Sequence, residues 1–204
     1  MRPASLLSLN QELIACKGCT LHKQTTQSVP GIGTDKPYLM LLGESPGEQE
    51  DQQGVPFVGP AGQALQDILT ELQWRLFEIY ITNTVKHRPP KNRNPTLQEL
   101  KACGGFLSRE IETIKPKAIV ALGRIATETL IRLSDREPPK GSFRGLWFNY
   151  QDSIPVVATW HPSYLIRQTT QDSFLKIRSE IIEDLEFAYE VVNQRSIDEN
   201  GPFG

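Results

Sequence analysis

The sequence predicts an α/β protein folded as a three-layer α/β/α sandwich, and two observations carry that prediction. Four short apolar runs rich in branched side chains alternate with segments in which apolar residues recur at helical spacing. Each run is followed closely by Gly, Asn or His, as expected where buried parallel strands end at one edge of a sheet. We therefore expect a central four-stranded, mainly parallel sheet with helices on both faces.

The first half of the chain supplies two of the predicted strands. An N-terminal helix is predicted through the leucines between residues 6 and 13, ahead of the first cysteine. The run 38–42 is the first strand, and residues 61–72 form the helix after it, because apolar residues stand at 61, 65, 68, 69 and 72. The run 79–82 is the second strand.

The second half repeats the alternation. A helix over 97–114 with a periodic apolar face leads to the third strand, 118–122. Residues 142–153 form either an irregular connection or a hairpin, and the fourth strand is 156–158. A final helix has its apolar positions between 181 and 192. Ligands are expected at the carboxyl edge of these strands.

Length and composition indicate one domain. The 204 residues, 38% of them hydrophobic, suffice for one core and fall short of two ordinary domains. We expect that domain to span residues 1–195, with 196–204 as a disordered tail. The first residues carry no signal pattern, and no apolar run approaches the roughly 20 residues that cross a bilayer. A cytoplasmic location without membrane contact is therefore expected.

The charges are unevenly placed along the chain. The formal net charge is −2, but residues 180–199 carry seven acids against one Arg, which leaves +4 for the rest. Residues 79–98 contain no acid and include Lys86, Arg88, Lys91 and Arg93. That cluster suits contacts to phosphate. A solvated loop with incidental charge is the alternative.

The ends of the predicted strands carry side chains suited to holding a flat heterocycle and breaking a bond beside it. The first strand runs into the tight loop 43–47, Gly-Glu-Ser-Pro-Gly, which brings Glu44. Asn83 ends the second strand and can read a donor-acceptor edge of a pyrimidine. His161 follows the fourth strand and can hydrogen-bond an oxygen that gains charge. Phe57, among turn residues, can stack on a base, although core packing is equally open.

Three cysteines are an odd set for a disulfide framework. Cys16 and Cys19 form a Cys-x-x-Cys pair, and Cys103 lies far downstream. In a reducing cytosol such a pair favours metal ligation or redox chemistry.

These motifs together resemble the iron–sulfur uracil-DNA glycosylases, family four of their superfamily. The matched segments run in family order from Cys16 to Arg167 and include the loop 43–47, the run Gly-Val-Pro-Phe-Val-Gly at 54–59, Thr82-Asn83, and His161-Pro162-Ser163. The chain departs from the family at Ser45, where Ala or Gly is usual. It departs again at His87, which stands where the family has a cluster cysteine.

The resemblance implies a [4Fe–4S] cluster. Its ligands would be Cys16, Cys19 and Cys103, with His87 as the fourth, since imidazole also ligates iron in Rieske-type centres. A three-iron cluster, zinc or no metal is the alternative, and His22 is a weaker candidate ligand.

The resemblance also implies the reaction, which is extrusion of uracil from DNA and hydrolysis of its N-glycosidic bond. It assigns catalysis to Glu44, His161 and Asp51. The residues implied to contact the base are Gly43, Ser45, Phe57, Asn83 and Ser163. Those implied to contact DNA are Lys86, Arg88, Lys91, Arg93, Tyr164, Leu165 and Arg167, with Tyr164 or Leu165 filling the vacated stack.

Three other functions remain open at this point. One branch of the superfamily becomes covalently trapped on uracil-DNA through a histidine, but residues 88–102 offer neither an inserted loop nor a second histidine. A non-catalytic cluster-bearing DNA binder or redox sensor is the second. A nucleotide-binding protein is the third, although no phosphate-loop fingerprint follows a strand. The expected partner is uracil-containing DNA, bound by a monomer.

Overall fold

The computed structural model describes residues 5–74 and 78–199, and side chains as far as residue 193. In chain order the strands are β1 Ile32–Gly33, β2 Leu39–Gly43, β3 Ile79–Asn83, β4 Ala118–Leu122, β5 Trp147–Tyr150 and β6 Ile154–Thr159. The α-helices are α1 Leu6–Ile14, α2 Glu48–Gln53, α3 Pro60–Glu71, α4 Leu97–Ile114, α5 Arg124–Leu133, α6 Pro162–Leu165 and α7 Gln171–Glu199. Short 3₁₀ turns lie at Thr20–Gln24 and Pro90–Asn92.

The strands form one sheet in the order β1-β3-β2-β4-β6-β5. The four central strands are parallel, and β1 and β5 pair antiparallel at the two edges. Because the central strands run the same way, their carboxyl ends come together at one edge of the sheet. Gly43, Asn83 and Thr159, the last residues of three of them, lie at that edge.

The three-layer prediction is confirmed, but the sheet has six strands rather than the expected four. The four predicted runs match β2, β3, β4 and β6. The edge strand β1 is only two residues long and exposed, so it leaves no apolar run. Strand β5 is exposed or half-buried along most of its length, and it pairs with β6 as the hairpin that was one of two expectations for 142–153.

Side chains alternate between the two faces of the sheet, and each face is covered by helices. On one face Leu39, Leu41 and Val120 pack against apolar side chains of α3 and α7. On the other face Met40, Leu42 and neighbouring strand residues pack against α4 and α5. Burial of these two apolar layers is the main stabilising contribution to the fold.

The last helix, α7, is described to Glu199, and residues 200–204 lie outside the described residues. The domain boundary at residue 195 and the disordered tail over 196–204 stay predictions. None of the helices in the described ranges combines the length and the apolar character that a membrane span requires.

Candidate active site

A cavity of about 680 Å³ opens at the carboxyl edge of the sheet. Its walls come from segments after β2, β3, β4 and β6, together with the starts of α2, α3 and α6. Glu44, Phe57, Asn83 and His161, which the sequence predicted to meet, all line it. The volume lies within the range of roughly 300–1,000 Å³ that holds drug-sized ligands, so the cavity has room for more than one pyrimidine.

The loop after β2 is held in place by backbone hydrogen bonds to the strand beside it. The Thr84 amide donates to the Gly43 carbonyl at 3.0 Å, and the Thr84 hydroxyl donates to the Glu44 carbonyl at 2.5 Å. Loop 43–47 therefore moves with the end of β3, which carries Asn83.

The buried carboxylate of Glu50 ties the same loop to the start of α3. Its two oxygens accept hydrogen bonds from the Gly47 amide at 3.0 Å and the Gly59 amide at 2.7 Å. One side chain thus fixes the loop before α2 relative to the loop that carries Phe57. Sequence reasoning missed this role, although an acid at the third helical position after Gly47 can accept from the Gly47 amide, as the acid of a capping box does.

Gly43 allows two side chains to converge on the end of β2. A Cβ at this position would lie 2.4 Å from Asn83 Oδ1 and 2.5 Å from Phe57 Cζ, both too short for any real contact. Phe57 itself has a positive φ of 57°, a conformation that costs a non-glycine residue energy and is typical of functional sites. The absence of a side chain at Gly43 therefore lets Phe57 and Asn83 meet in the cavity.

Asn83 carries an acceptor that is buried without a hydrogen-bond partner in the described structure. The residue is 2% exposed, and its Oδ1 finds no donor. Leaving a buried acceptor unpaired costs about 1–3 kcal/mol, a cost that a ligand N–H can relieve. The amide is thus placed to receive a donor from a molecule in the cavity.

His161 is held as a neutral imidazole of one tautomer. The Ser163 amide donates to His161 Nδ1 at 3.1 Å, and a backbone N–H can only donate, so Nδ1 carries no proton and Nε2 carries it. Burial, and next the charge of Arg167, lower the pKa of His161 to about 4. The ring therefore offers an N–H donor at neutral pH, 6.1 Å from the Phe57 ring between centroids.

Glu44 lies half-buried in the cavity wall. Burial raises the pKa of its carboxyl group, and the nearby guanidinium of Arg167 opposes that shift. Arg167 also donates to the Ser163 hydroxyl at 3.1 Å. Ser163, predicted to contact the base, lines the cavity and also orients His161, with its hydroxyl 2.9 Å from Nδ1. Ser45 lines the cavity beside Glu44.

Asp51 does not fit the catalytic role expected of it. Its carboxylate is buried and accepts from the Thr26 amide at 3.0 Å and the Thr26 hydroxyl at 3.1 Å. It is not among the residues that line the cavity. Asp51 instead attaches the N-terminal segment to α2, a structural use of a carboxylate that the sequence pattern does not distinguish from a catalytic one.

The prediction that Lys86 contacts DNA is wrong. Its side chain is 1% exposed, and its ammonium lies 2.5 Å from the Glu110 carboxylate, which is 2% exposed. It also donates to the Thr82 hydroxyl, and Tyr80 donates to Glu110 at 2.6 Å. A run of basic residues does not reveal which member faces inward, because the partner, Glu110, lies on a distant helix.

The other basic residues of the 79–98 segment are near the surface but only partly free. Arg93 makes a two-bond pair with Glu99 at 2.7 and 2.8 Å, which lowers the pKa of Glu99 to about 2. Arg88 is half-buried and donates to Asn92 at 2.7 Å. Lys91 is exposed. Lys91 is thus the member of this cluster best placed to meet a phosphate.

Leu165 and Tyr164, the two residues expected to fill the vacated stack, differ in their exposure. Leu165 is 1% exposed and packs into the core, so it cannot enter DNA, and that prediction is wrong. Tyr164 is 37% exposed and lines the cavity, as does Arg167. Neighbours in sequence on the short helix α6 face opposite ways, which sequence alone did not resolve.

The predicted cluster ligands are not among the residues that line the cavity. Cys103 is buried in a small apolar cluster with Leu21, Val85 and Leu100, against which Cys19 packs. Burial raises the pKa of the Cys103 thiol to about 11, the charge and backbone of Lys86 oppose that shift, and the charges of Cys19 and Cys16 add to it more weakly. Cys19 and Cys103 thus share one apolar cluster.

Three cysteines and His87 are the side chains that would hold the [4Fe–4S] cluster implied by the resemblance. Among the side chains described in residues 5–74 and 78–193, no three Cys, His, Asp or Glu converge as ligands of a single metal ion do. Burial, and next the charge of His22, lower the pKa of the buried His87 and so favour its neutral form. Three thiols and a neutral imidazole are ligand types that suit an iron–sulfur cluster.

The fold and cavity define an α/β protein with a mainly parallel sheet and, at the strand ends, a pocket with room for more than one pyrimidine. The chain belongs to the uracil DNA glycosylase superfamily, whose model matches residues 30–186. This confirms the resemblance seen in the motifs.

Individual relatives agree with that assignment. The Type-4 uracil-DNA glycosylase of Archaeoglobus fulgidus is 38% identical over 182 residues, covering 85% of this chain and 92% of the relative. That of Thermotoga maritima is 39% identical over 180 residues, covering 88% and 91%. The Type-5 uracil-DNA glycosylase of Thermus thermophilus is 32% identical over 171 residues, covering 74% and 78%. The Type-4 relatives thus match a larger share of the chain at higher identity.

Proposed function

We propose that the protein is a DNA-repair glycosylase that extrudes uracil from DNA and hydrolyses its N-glycosidic bond, leaving an abasic site. The observation that carries the proposal is the unpaired, buried Oδ1 of Asn83, which lies with Phe57 and a neutral His161 in one cavity. An imide ring such as uracil presents an N–H flanked by two carbonyls. An amide facing that edge satisfies its N–H with Oδ1 and one carbonyl with its NH₂ group.

Phe57 supplies the surface for the ring. A flipped base is read by stacking on an aromatic side chain and by hydrogen bonds to its edge. The meeting of Phe57 with Asn83 over Gly43 sets the plane of the ring relative to the amide. Ser45 and Gly43 border this pocket, and the side chain that excludes the methyl group of thymine is left open by the proposal.

Cleavage breaks the bond between uracil N1 and the sugar C1′, and its electron pair leaves with the base. His161 donates its Nε2 proton in a hydrogen bond to the uracil O2 that gains this charge, so the base leaves more readily. Water adds its oxygen to C1′ and gives up one proton, which neutralises the uracil anion. Glu44, in the same wall, stabilises the cationic sugar or orients that water.

DNA is held at the rim of the cavity. Arg167 and Tyr164 lie at the mouth, and Lys91 is exposed on the nearby basic segment. Arg88 and Arg93 contribute less, because they are already engaged with Asn92 and Glu99. Such contacts to phosphate make binding weaken as salt rises.

We further propose that Cys16, Cys19, Cys103 and His87 hold a [4Fe–4S] cluster. These four side chains would tie the N-terminal segment, the segment after β3 and α4 together around the cluster. Base hydrolysis transfers no net electrons, so the group is architectural. Anaerobically purified protein should be brown with about four irons per chain, and a colourless zinc-loaded product would contradict the assignment.

One assay tests the enzymatic proposal against its closest rival. A labelled oligonucleotide with a single uracil is incubated with the protein and divided between an alkali-cleavage gel and a denaturing protein gel. Alkali-sensitive breaks at the uracil over many turnovers support the glycosylase. A detergent-stable protein–DNA band would instead identify a trapping enzyme, for which His87 is poorly placed because it is buried outside the cavity lining.

A monomer in the cytoplasm, folded as one domain over residues 1–195, also stays a prediction. Sedimentation of the protein alone and with uracil-DNA tests the first part, and a stable dimer at micromolar concentration would contradict it.

A further inference from the structure

The cavity extends well beyond the residues that the glycosylase reaction uses. Past His161, its wall continues along Phe143, Trp160 and Tyr164, which we call the aromatic wall, and along Arg124. A single pyrimidine on Phe57 would leave this part of the roughly 680 Å³ unfilled. The aromatic wall is thus a second surface, continuous with the first.

The three rings of the aromatic wall are fixed against one another. Phe143 meets Trp160 edge to face, with centroids 5.2 Å apart and planes at 89°. Trp160 lies 4.9 Å from Tyr164, with planes at 40°. The indole N–H of Trp160 donates to Glu180 at 2.6 Å, which anchors the middle ring to α7. Phe143 is buried whereas Tyr164 is 37% exposed, so the row is anchored at its base and open at its outer end.

Two cations flank the aromatic wall. The Arg124 guanidinium lies over the Phe143 ring at 5.0 Å and also donates to the Gly141 carbonyl at 2.9 Å. Arg167 stands at the other side, held by Ser163. Flat apolar rings bordered by guanidinium groups match a nucleobase with its phosphates, and they match an apolar peptide poorly.

We propose that the aromatic wall stacks the nucleobase next to the uracil on the same strand, through the exposed ring of Tyr164. This proposal rests on the proposed glycosylase function and adds a substrate class to it. A base that stacks on Tyr164 is no longer paired with the complementary base of the opposite strand. The preferred substrate is therefore uracil in single-stranded or locally unpaired DNA. Tyr164 acts as a fixed platform rather than as a wedge, because its ring is held against Trp160.

A binding cycle tests the proposal. The probes are single-stranded oligonucleotides carrying 2′-deoxypseudouridine, whose carbon–carbon glycosidic bond is not hydrolysed, with either a normal neighbour or an abasic spacer on one side. Dissociation constants are measured by fluorescence anisotropy for the unmodified protein and for Tyr164→Ala. Base-on-aromatic stacking contributes about 1–3 kcal/mol, so removing the stacked base should weaken binding to the unmodified protein by about 5- to 150-fold.

The expected pattern is specific to stacking. For Tyr164→Ala, removing that neighbour should change the dissociation constant by less than about twofold, whereas Tyr164→Phe should keep the full sensitivity, because both follow from the stacking energy. Tyr38→Ala is the matched control: that tyrosine is similarly exposed but precedes β2, at the opposite end of the strand from Gly43. The proposal would be overturned if the abasic spacer, on either side of the uracil analogue, weakened binding equally for the unmodified protein and for Tyr164→Ala.

The result is independent of whether the protein cleaves uracil-DNA. The change in binding of the uncleavable probe when its neighbouring base is removed reports the aromatic wall, whereas absence of uracil release from a deoxyuridine probe would refute the glycosylase. Sensitivity to the neighbour in the first measurement without release in the second would keep the stacking surface and discard the reaction.

Discussion

Substitution of Gly43 by Ala should lower activity sharply while leaving the protein folded. The added Cβ would lie 2.4 Å from Asn83 Oδ1 and 2.5 Å from Phe57 Cζ. An ordinary contact needs about 3.5 Å, so each group must retreat by about 1 Å. Both are ends of side chains, so the fold can accommodate the change at an overpacking cost of about 1–3 kcal/mol.

The same retreat moves Asn83 and Phe57, the two groups that we propose hold uracil. A misplacement of about 1 Å in a catalytic arrangement can cost about 100-fold in rate, which corresponds to about 2.7 kcal/mol of transition-state stabilisation. We expect single-turnover uracil release by Gly43→Ala to fall by about that factor, with the urea midpoint shifted only modestly. Single-turnover conditions are needed because product release can mask a slower chemical step.

Gly105→Ala is the matched control. Gly105 is exposed in α4, and a Cβ there meets nothing within 4 Å. The change should leave release unaffected and stabilise the helix by about 0.5–1 kcal/mol. A Gly43→Ala enzyme with unchanged release would refute the convergence of Phe57 and Asn83 on the base.

Three further predictions follow from buried groups. The pKa of His161 is about 4 in the folded protein, below its ordinary 6.5, so the stability that the neutral ring contributes is complete above about pH 6.5 and is lost as the pH falls toward 4. NMR titration of the imidazole signals, with the His161 signal assigned by means of His161→Gln, checks this. Titration of His161 near pH 6.5 would contradict it. Glu110→Ala should lower the free energy of unfolding by about 3–5 kcal/mol because it leaves the Lys86 ammonium buried and unpaired, and a loss below about 1 kcal/mol in urea unfolding would count against the network. His87→Cys should keep or increase the visible absorbance of the anaerobic protein, since thiolate replaces a protonatable ligand, whereas loss of the colour would contradict the ligand assignment.

Much of the fold was predictable from sequence because it depends on local patterns. The central strands are continuous apolar runs buried on both faces, a signal that needs no knowledge of distant residues. The edge strand β1 was missed, and β5 was expected only as one of two alternatives, because an edge strand needs neither length nor continuous burial. Strand β5 is exposed or half-buried over three of its four residues. Pairing at an edge is decided by a neighbouring strand and not by the run itself.

The site was predictable where chemistry and strand ends coincide. Glu44, Asn83 and His161 follow directly from strands, so parallel topology alone brings them together. The predictions for Lys86 and Leu165 were wrong because the direction of a side chain depends on its tertiary partners. Lys86 points toward the Glu110 carboxylate on α4, and Leu165 points into the core. Asp51 failed because a carboxylate that holds backbone amides looks the same in sequence as one that acts on a substrate.

The most direct measurement compares uracil release by the cluster-loaded protein with release by a His161→Ala and Glu44→Ala double variant in the same state. Both side chains line the cavity, and the N–H donor of His161 is the one that we propose for the leaving base. The account predicts rapid release by the unmodified protein and a loss of at least about 100-fold in the variant, the scale of removing one charge-stabilising donor. Equal release by the two proteins would contradict it.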